Sequence, residues 1–353
     1  MSGMNRRDFV LAGLTAGIAA GVASEVLRAS SLRPLTDAAV DPYAGVDPEL
    51  VPALKAFTTL TFNAEILPLA RKRPPIPALP APAPQPYEKR ILGPAGAPEL
   101  RLVIVDSTPG KKDRPAFLHI HGGGCIAGFA GQDLPFLQSV AQNCGCLVVS
   151  VDYRLAPETR FPGSLEDNYT ALRWVHENAE TLGVDRKRIA VGGESAGGGH
   201  SARLAIAARD RKEFPILFQL LIYPMLDDRT GSTRQVPPHI GKFVWIAESN
   251  RFGWTSLLGV PAGSANVLPG SVPARVENLA GLPPAYISVG AIDLFVEEDV
   301  EYAKRLIEQG VPTELHVIPG AYHGYDLLAP EAPVSKRFAE SWKVALNRAY
   351  GNS

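Results

Sequence analysis

The sequence predicts an α/β fold in which a mostly parallel central sheet is flanked by helices. From about residue 87 onward, short apolar segments typical of strands alternate with segments rich in helix formers. Two strand-like segments end in glycine-rich motifs at residues 121–124 and 193–197, and two others lead into Asp293 and His323. Because chemistry in open α/β sheets gathers at the carboxyl ends of the strands, we expect these four places to meet at one edge.

The composition is that of one large folded domain. The chain has 353 residues, of which 46% are hydrophobic, so it can bury a large core. The alternation of strands and helices over residues 87–353 favours one α/β domain over two. The net charge is −1, and basic and acidic residues are interspersed, which excludes a surface patch for a nucleic-acid partner.

Residues 1–23 differ in kind from the rest of the chain. Arg6 and Arg7 precede an apolar stretch of small residues at 9–22, and the segment resembles a twin-arginine export signal. The stretch is shorter than the roughly 20 residues that span a bilayer, so we predict no stable membrane insertion of the mature chain. We expect a periplasmic or secreted protein, cleaved after Ala23. An uncleaved N-terminus that anchors the chain to the membrane is the alternative.

Residues 24–86 are expected to contain a helix followed by a connector. The helix is predicted over residues 50–69, and the connector over residues 74–86, where the density of proline forbids a helix and favours extended chain. The chain also has three cysteines, which cannot all pair and which we interpret as buried small apolar residues. They are Cys125, Cys144 and Cys146.

The first glycine-rich motif has the composition of an anion-binding turn. A strand-like segment at 115–120 leads into His121, Gly122, Gly123 and Gly124. Three residues without a Cβ let backbone N–H groups approach a ligand closely, although a plain glycine turn is the alternative.

His119 and His121 form an H-x-H pair, a spacing that metal sites use. No third histidine, cysteine or carboxylate falls at a convincing spacing from them. We therefore predict no metal and interpret His121 as a residue that orients the loop.

The candidate nucleophile is Ser195, in the G-x-S-x-G pattern of residues 193–197. A strand-like segment at 188–192 precedes it and a helix-forming segment at 197–208 follows, so the serine is expected on a sharp strand-to-helix turn. The N–H of Ala196 begins the helix that aims its positive dipole end at this turn. A serine hydroxyl needs a base to take its proton and donors to hold the negative charge that its attack creates.

His323 and Asp293 are the candidate base and acid. A strand-like segment at 284–292 leads directly into Asp293, and His323 lies on a glycine-flanked loop after the last strand. His316 lies inside that last strand, which favours a structural role. Three further carboxylates follow Asp293 in what reads as the first turn of a helix, where such groups complement the helix dipole: Glu297, Glu298 and Asp299.

The chain resembles the bacterial hormone-sensitive-lipase-like carboxylesterases from about residue 87 to the end. The resemblance lies in the order Ser195, Asp293, His323, in the two glycine motifs, and in short strings elsewhere in the chain. These strings are DYRLAPE at 152–158, Phe161 and Pro162, Asp167, and residues 293–297 and 323–324. The chain departs from the family at Glu194, where Asp or Thr is more frequent, and at 293–295, where the family more often has Asp-Pro-Leu. These departures bear on subfamily and substrate.

The resemblance implies an α/β-hydrolase fold and a serine carboxylesterase that uses no cofactor. Its substrates would be short- to medium-chain acyl or aryl esters, cleaved through an acyl-enzyme intermediate. Ser195 would attack the ester, His323 would act as the base and Asp293 would orient the histidine. The oxyanion hole would comprise the N–H groups of Gly123, Gly124 and Ala196, with Gly122 supporting their conformation.

By the same resemblance, the early helix and an insertion at about residues 227–262 form a helical cap over Ser195. Four aromatic residues of the insertion either wall a pocket for acyl or aryl groups or only cement the insertion. They are Phe243, Trp245, Phe252 and Trp254.

A small-molecule ester is therefore the expected partner, and a homodimer is left open. An amidase that uses the same three residues is one alternative, because no motif separates ester from amide substrates. A non-catalytic ligand receptor of the same fold is another. Receptors that resemble this family lack the catalytic histidine, so the presence of His323 argues against that alternative.

Overall fold

A computed structural model describes residues 41–73 and 83–352. The predicted export signal at 1–23 and most of the proline-rich connector lie outside the described residues. Within them, the expected α/β fold is present as an eight-stranded sheet with helices on both faces. None of the helices in these two ranges is long and apolar enough to cross a membrane.

The sheet has the strand order β1-β2-β4-β3-β5-β6-β7-β8. Strand β2 runs antiparallel to both of its neighbours, and the pairs from β4 through β8 are all parallel, as a mostly parallel sheet requires. The strands are β1 Pro86–Ile91, β2 Leu100–Asp106, β3 Arg114–Ile120, β4 Leu147–Val151, β5 Val184–Glu194, β6 Phe218–Ile222, β7 Ala285–Gly290 and β8 Thr313–Ile318.

Ten α-helices lie within the described residues, and most of the longer ones connect consecutive parallel strands. They are α1 Val51–Ala56, α2 Leu67–Ala70, α3 Leu134–Cys144, α4 Gly163–Glu177, α5 Ala179–Leu182, α6 Ala196–Arg211, α7 Ala247–Leu258, α8 Val296–Glu308, α9 Tyr325–Leu328 and α10 Pro333–Tyr350.

The core lies on both faces of the sheet because successive strand residues point to opposite sides. In β3, Phe117 packs in a cluster with Trp342 of α10, whereas the next residue, Leu118, packs in a second cluster with Leu172 of α4. All seven residues of β3 are buried, which is the pattern of a central strand covered on both faces. The carboxyl end of this rigid strand leads directly into the first glycine motif.

The prediction of one helix over residues 50–69 is wrong for residues 57–66, which are not helical. Helix α1 ends at Ala56 and α2 begins only at Leu67, and the backbone at Phe57 is extended. The intervening segment contains β-branched threonines and makes tertiary hydrogen bonds in place of helical ones. The backbone N–H of Phe62 donates to Ser249 Oγ, and Thr59 Oγ1 accepts from the backbone N–H of Val244.

The predicted insertion follows β6 and contains a single α-helix, α7, preceded by a long loop. Its four aromatic residues have different surroundings. Trp245 contacts the first glycine motif, and Trp254 lies under the guanidinium of Arg203, 5.0 Å from the ring centre. Phe243 stacks on Tyr43. The three cysteines are unpaired and buried, as expected for small apolar residues.

Candidate active site

Ser195 lies on the turn between β5 and α6, as the motif predicts. Its backbone has φ 57° and ψ −121°, a conformation that residues other than glycine rarely adopt. Neighbouring backbone holds it there, because its N–H donates to Ile222 O and its own carbonyl accepts from Met225 N–H. The hydroxyl is thereby presented at the carboxyl edge of the sheet, with 8% of the residue exposed.

The two glycines of the G-x-S-x-G pattern are required by the packing of this turn against β3. A Cβ on Gly193 or on Gly197 would lie 1.9 Å from the carbonyl oxygen of Ile120, the last residue of β3. No side chain fits at that distance, because the atom in the way is backbone. The motif therefore reflects the close approach of β3 to the turn that carries Ser195.

The three predicted residues Ser195, His323 and Asp293 form one hydrogen-bonded chain. Nε2 of His323 lies 2.9 Å from the Oγ of Ser195, and Nδ1 of the same ring lies 2.8 Å from Oδ2 of Asp293. Asp293 follows β7 and His323 follows β8, so two strand ends bring them to the serine. The residues are 1% and 6% exposed, which keeps competing water away from both hydrogen bonds.

The surroundings of Asp293 and His323 fix both side chains. The second carboxylate oxygen of Asp293 accepts the backbone N–H of Phe295 at 3.0 Å. The ring of Phe295 stands perpendicular to the imidazole at 5.1 Å, and that of Tyr223 contacts it at 4.9 Å. An imidazole held in this way keeps Nδ1 toward the carboxylate and Nε2 toward the serine.

Residues 121–133, here called the oxyanion loop after their expected role, contribute three glycines, Gly122 to Gly124, to the same cavity as Ser195. Within the described part of the chain, the backbone N–H groups of Gly123, Gly124 and Ala196 make no hydrogen bond. Gly123 and Gly124 have φ of 119° and 62°, which glycine adopts without strain. A Cβ on Gly124 would lie 2.2 Å from the ring of Trp245. Gly122 packs its backbone beside Ser195.

His121 supports the start of the oxyanion loop. Its Nδ1 lies 2.8 Å from the carbonyl oxygen of Gly122, and its ring stacks on Tyr153 at 4.2 Å. The Tyr153 hydroxyl donates to the carbonyl of His121 at 2.9 Å. Burial lowers the pKa of His121 to about 4, so the ring is neutral and Nδ1 carries the proton donated to Gly122.

A largely apolar cavity of about 150 Å³, which opens to solvent, surrounds Ser195. Trp245 and Val244 of the insertion form part of its wall, so one of the four predicted aromatics lines it. Phe57, Leu60 and Phe62 also line it, from the segment at 50–69 that was expected over Ser195 as a cap helix and is non-helical after α1. Leu327 and Leu328 of α9 complete this part of the wall, and no sequence pattern pointed to them.

His119 belongs to a different group from His121. Its side chain lies beside Asp133 and Glu194, and one ligand atom of each lies within 4.8 Å of the others. Sequence spacing could not find this group, since its members come from three separate segments. His119 and Glu194 are already joined by a 3.0 Å hydrogen bond, so a cation would have to replace that bond.

Known proteins that resemble this chain are ester hydrolases. A family profile described as alpha/beta hydrolase fold matches residues 117–327. Esterase LipI of Mycobacterium tuberculosis is 35% identical over 89% of this chain and 98% of its own length. Carboxylesterase NlhH of the same organism is 33% identical over 74% of this chain and 82% of its own length.

Solved structures agree with these relatives. A bacterial heroin esterase is 36% identical with a TM-score of 0.77, covering 87% of this chain and 99% of its own. Esterase LipW from Mycobacterium marinum is 33% identical with a TM-score of 0.76, and the match covers 88% of this chain and 98% of LipW. The chain therefore belongs to the α/β-hydrolase family, as a hormone-sensitive-lipase-like carboxylic ester hydrolase.

Proposed function

We propose that Ser195, His323 and Asp293 are the catalytic residues with which this carboxylesterase cleaves esters in two acyl-transfer steps. The observation that carries the assignment is the continuous chain of 2.9 Å and 2.8 Å contacts from the serine hydroxyl to the buried carboxylate. This is the geometry in which an imidazole accepts the proton of a serine and a carboxylate stabilises the resulting imidazolium.

In the first step, Ser195 Oγ attacks the carbonyl carbon of the ester while His323 Nε2 takes the hydroxyl proton. The tetrahedral intermediate collapses as its C–O bond to the alcohol breaks, and His323 returns the proton to the leaving alcohol. In the second step, His323 takes a proton from water, which attacks the acyl-enzyme carbon. The bond to Ser195 Oγ then breaks, the serine regains its proton and the carboxylic acid leaves.

The oxyanion of each tetrahedral intermediate is bound by the N–H groups of Gly123, Gly124 and Ala196. All three N–H groups are unpaired in the described structure, and Gly123 and Gly124 line the mostly apolar cavity that Ser195 also lines. Donors fixed in advance stabilise developing charge without reorganisation, and losing one commonly costs about 10²–10³ in turnover.

Short- to medium-chain acyl or aryl esters are the proposed substrates. The supporting observation is the apolar wall formed by Phe62, Trp245 and Leu328, which can bury a hydrocarbon or aromatic group but leaves it few polar partners. A series of p-nitrophenyl esters of increasing acyl length tests this, and we expect kcat/KM to fall for long chains. A steady rise up to palmitate would contradict the proposal.

Replacing the nucleophile tests the assignment directly. We expect Ser195→Ala to abolish hydrolysis of p-nitrophenyl butyrate and covalent labelling by a fluorophosphonate probe. Ser201→Ala is the matched control, because Ser201 is also buried on α6 but hydrogen bonds to Gly197 O away from the cavity. Turnover retained by pure Ser195→Ala protein would rule the assignment out. Matched ester and anilide substrates measure any amidase activity.

Export by a twin-arginine pathway is a separate proposal, supported by Arg6 and Arg7 before the apolar stretch at 9–22. We expect the full-length protein in the periplasmic or extracellular fraction of its host. The double change Arg6→Lys and Arg7→Lys should leave it in the cytoplasmic fraction. An unchanged distribution in that variant would contradict the proposal.

A further inference from the structure

Three buried side chains connect both ends of the oxyanion loop to the turn that carries Ser195. His119 is the next-to-last residue of β3, just before the loop begins. Asp133 is the last residue before α3, where the loop ends. Glu194 is the last residue of β5 and directly precedes the serine. We call these three residues the loop clamp.

The members of the loop clamp lie close together and are buried, although Asp133 and Glu194 also line the cavity. Their relative exposures are 0%, 3% and 3%, and one polar atom of each lies within 4.8 Å of the other two. His119 Nε2 lies 3.0 Å from Glu194 Oε2, while His119 Nδ1 lies 2.9 Å from the hydroxyl of Ser150 on β4. The neighbouring strand therefore fixes the imidazole that meets Glu194.

The loop clamp contains no balancing positive side chain. Within residues 41–73 and 83–352, no lysine or arginine forms an ion pair with Asp133 or Glu194. Burial raises the pKa of Glu194 to about 8 and that of Asp133 to about 7, and the same burial lowers the pKa of His119 to about 4. Burial without a neighbouring positive side chain therefore favours the protonated carboxyl groups and the neutral imidazole.

The glycines at 122–124 are the part of the oxyanion loop with the fewest contacts of their own. The centre of the loop is tied to other segments, because Ala130 N–H donates to Asp152 and the carbonyl oxygens of Cys125 and Ile126 accept from Ala156 N–H and Arg71. Residues 122–124 have no side chains, and Gly123 O accepts only from Ile126 and Ala127 N–H of the same loop within the described residues. A displacement of about 1 Å between donors and nucleophile can cost 10²-fold in rate. The placement of Gly123 relative to Ser195 thus depends on contacts made by neighbouring residues, and those at the two ends of the loop also meet the turn that carries Ser195.

We propose that the loop clamp positions the oxyanion loop against Ser195, so that His119, Asp133 and Glu194 act as positioning residues in transition-state binding. The proposal rests on the proposed function, since it assumes that Ser195 forms the tetrahedral intermediate. It assigns to the side chain of Glu194 a task separate from the backbone geometry of the turn. Asp133 and Glu194 line the cavity, but within the described residues they form no hydrogen bond with Ser195 or His323.

The test compares Glu194→Ala with Glu194→Gln in hydrolysis of p-nitrophenyl butyrate. We expect alanine to lower kcat about 10- to 100-fold with KM within about twofold, because the donors matter most in the transition state. Glutamine has the same shape and no charge, and its amide can replace the hydrogen bond to His119. We therefore expect Glu194→Gln to stay within about threefold of the wild type.

Affinity for a transition-state analogue separates positioning from loss of fold. A butyl trifluoromethyl ketone adds to the serine and places an oxyanion in the hole. We expect its inhibition constant to rise in Glu194→Ala by the same factor as kcat/KM falls. Asp167→Asn is the matched control, because Asp167 is a buried carboxylate paired with Arg154 far along the chain from the loop. It should lower the melting temperature without changing the inhibition constant.

A double-mutant cycle tests whether the residues act as one unit. If they do, His119→Gln combined with Glu194→Ala should lose no more activity than Glu194→Ala alone. If Glu194→Ala yields no folded protein, Asp133→Ala at the far end of the loop carries the same expectation. Fully additive losses in folded variants would overturn the proposal.

Two further outcomes would also overturn the loop clamp. One is a rise in KM with kcat unchanged in Glu194→Ala, and the other is a melting-temperature loss without any change in kcat. These results are distinct from failure of the proposed function, which would appear as turnover by Ser195→Ala. Loss of activity in Ser195→Ala must therefore be established before the clamp variants are compared with the wild type.

Discussion

At the scale of single residues, the active site depends on backbone positions that exclude most side chains. Gly123 is such a position, with φ of 119°, and a Cβ there would lie 2.2 Å from the carbonyl oxygen of Ala127. That oxygen belongs to the same short loop, so the clash can be relieved only by moving the loop. The donors proposed for the oxyanion would move with it.

We predict that Gly123→Ala lowers kcat for p-nitrophenyl butyrate by about 10²-fold or more, since it displaces at least one oxyanion donor. Gly145→Ala is the control. It also has a positive φ, 56°, but its Cβ would meet no atom within 4 Å. We expect it to cost about 1 kcal/mol of stability and to leave kcat unchanged. Equal kcat for both variants would count against the assigned oxyanion hole.

At the scale of elements, the sequence predicted best the features that local chemistry decides. Asp293 and His323 were found because each follows a strand, and the ends of parallel strands share one edge. The segment after α1 was predicted as helix and is extended, because its hydrogen bonds go far along the chain: Phe62 N–H donates to Ser249 Oγ, and Thr59 Oγ1 accepts from Val244 N–H. Asp133 was missed for the same reason, since its partners lie in other segments.

The extended segment between α1 and α2 brings Leu60 and Phe62 to the cavity wall, and Ser249 of α7 holds it there. We predict that Ser249→Ala raises KM for p-nitrophenyl butyrate a few-fold with little change in kcat. The reason is that a lost buried hydrogen bond costs about 1 kcal/mol and loosens a binding wall, leaving the catalytic residues in place. Steady-state kinetics measure both constants.

Ser256→Ala provides the comparison for that experiment, since Ser256 is also buried on α7 but, within the described residues, forms no hydrogen bond with the extended segment. Its KM should match that of the wild type. A loss of kcat in Ser249→Ala, with KM unchanged, would show that the extended segment does more than bind substrate.

At the scale of the whole molecule, buried acids near the active site make stability depend on pH. Burial raises the pKa of Glu194 from 4.5 to about 8, and it raises the pKa of both Asp133 and Asp326 from 3.8 to about 7. The folded protein therefore holds protons that the unfolded chain has released. The stabilisation is complete below the unfolded pKa and is lost as the pH rises through the folded pKa.

We predict that the melting temperature of Glu194→Gln rises relative to that of the wild type as the pH increases from 5 to 8. The reason is that the wild-type carboxyl group ionises in its buried site over this range, whereas the amide cannot. Thermal unfolding of both proteins across this range measures the difference. Glu297→Gln, a change at an exposed side chain, should show a difference that stays flat with pH. If the melting temperature of the wild type instead rose relative to that of Glu194→Gln with increasing pH, the result would contradict the raised pKa of Glu194.

The backbone of Ser195 has a consequence for selection on this protein. Its φ and ψ are ones that glycine adopts freely, so the folded state stores strain at the residue that the reaction needs. Replacement by glycine should therefore give an enzyme that melts at a higher temperature and hydrolyses nothing. A library sorted for heat resistance alone would drift toward inactive proteins at this position, and only a screen that also demands turnover would retain the serine.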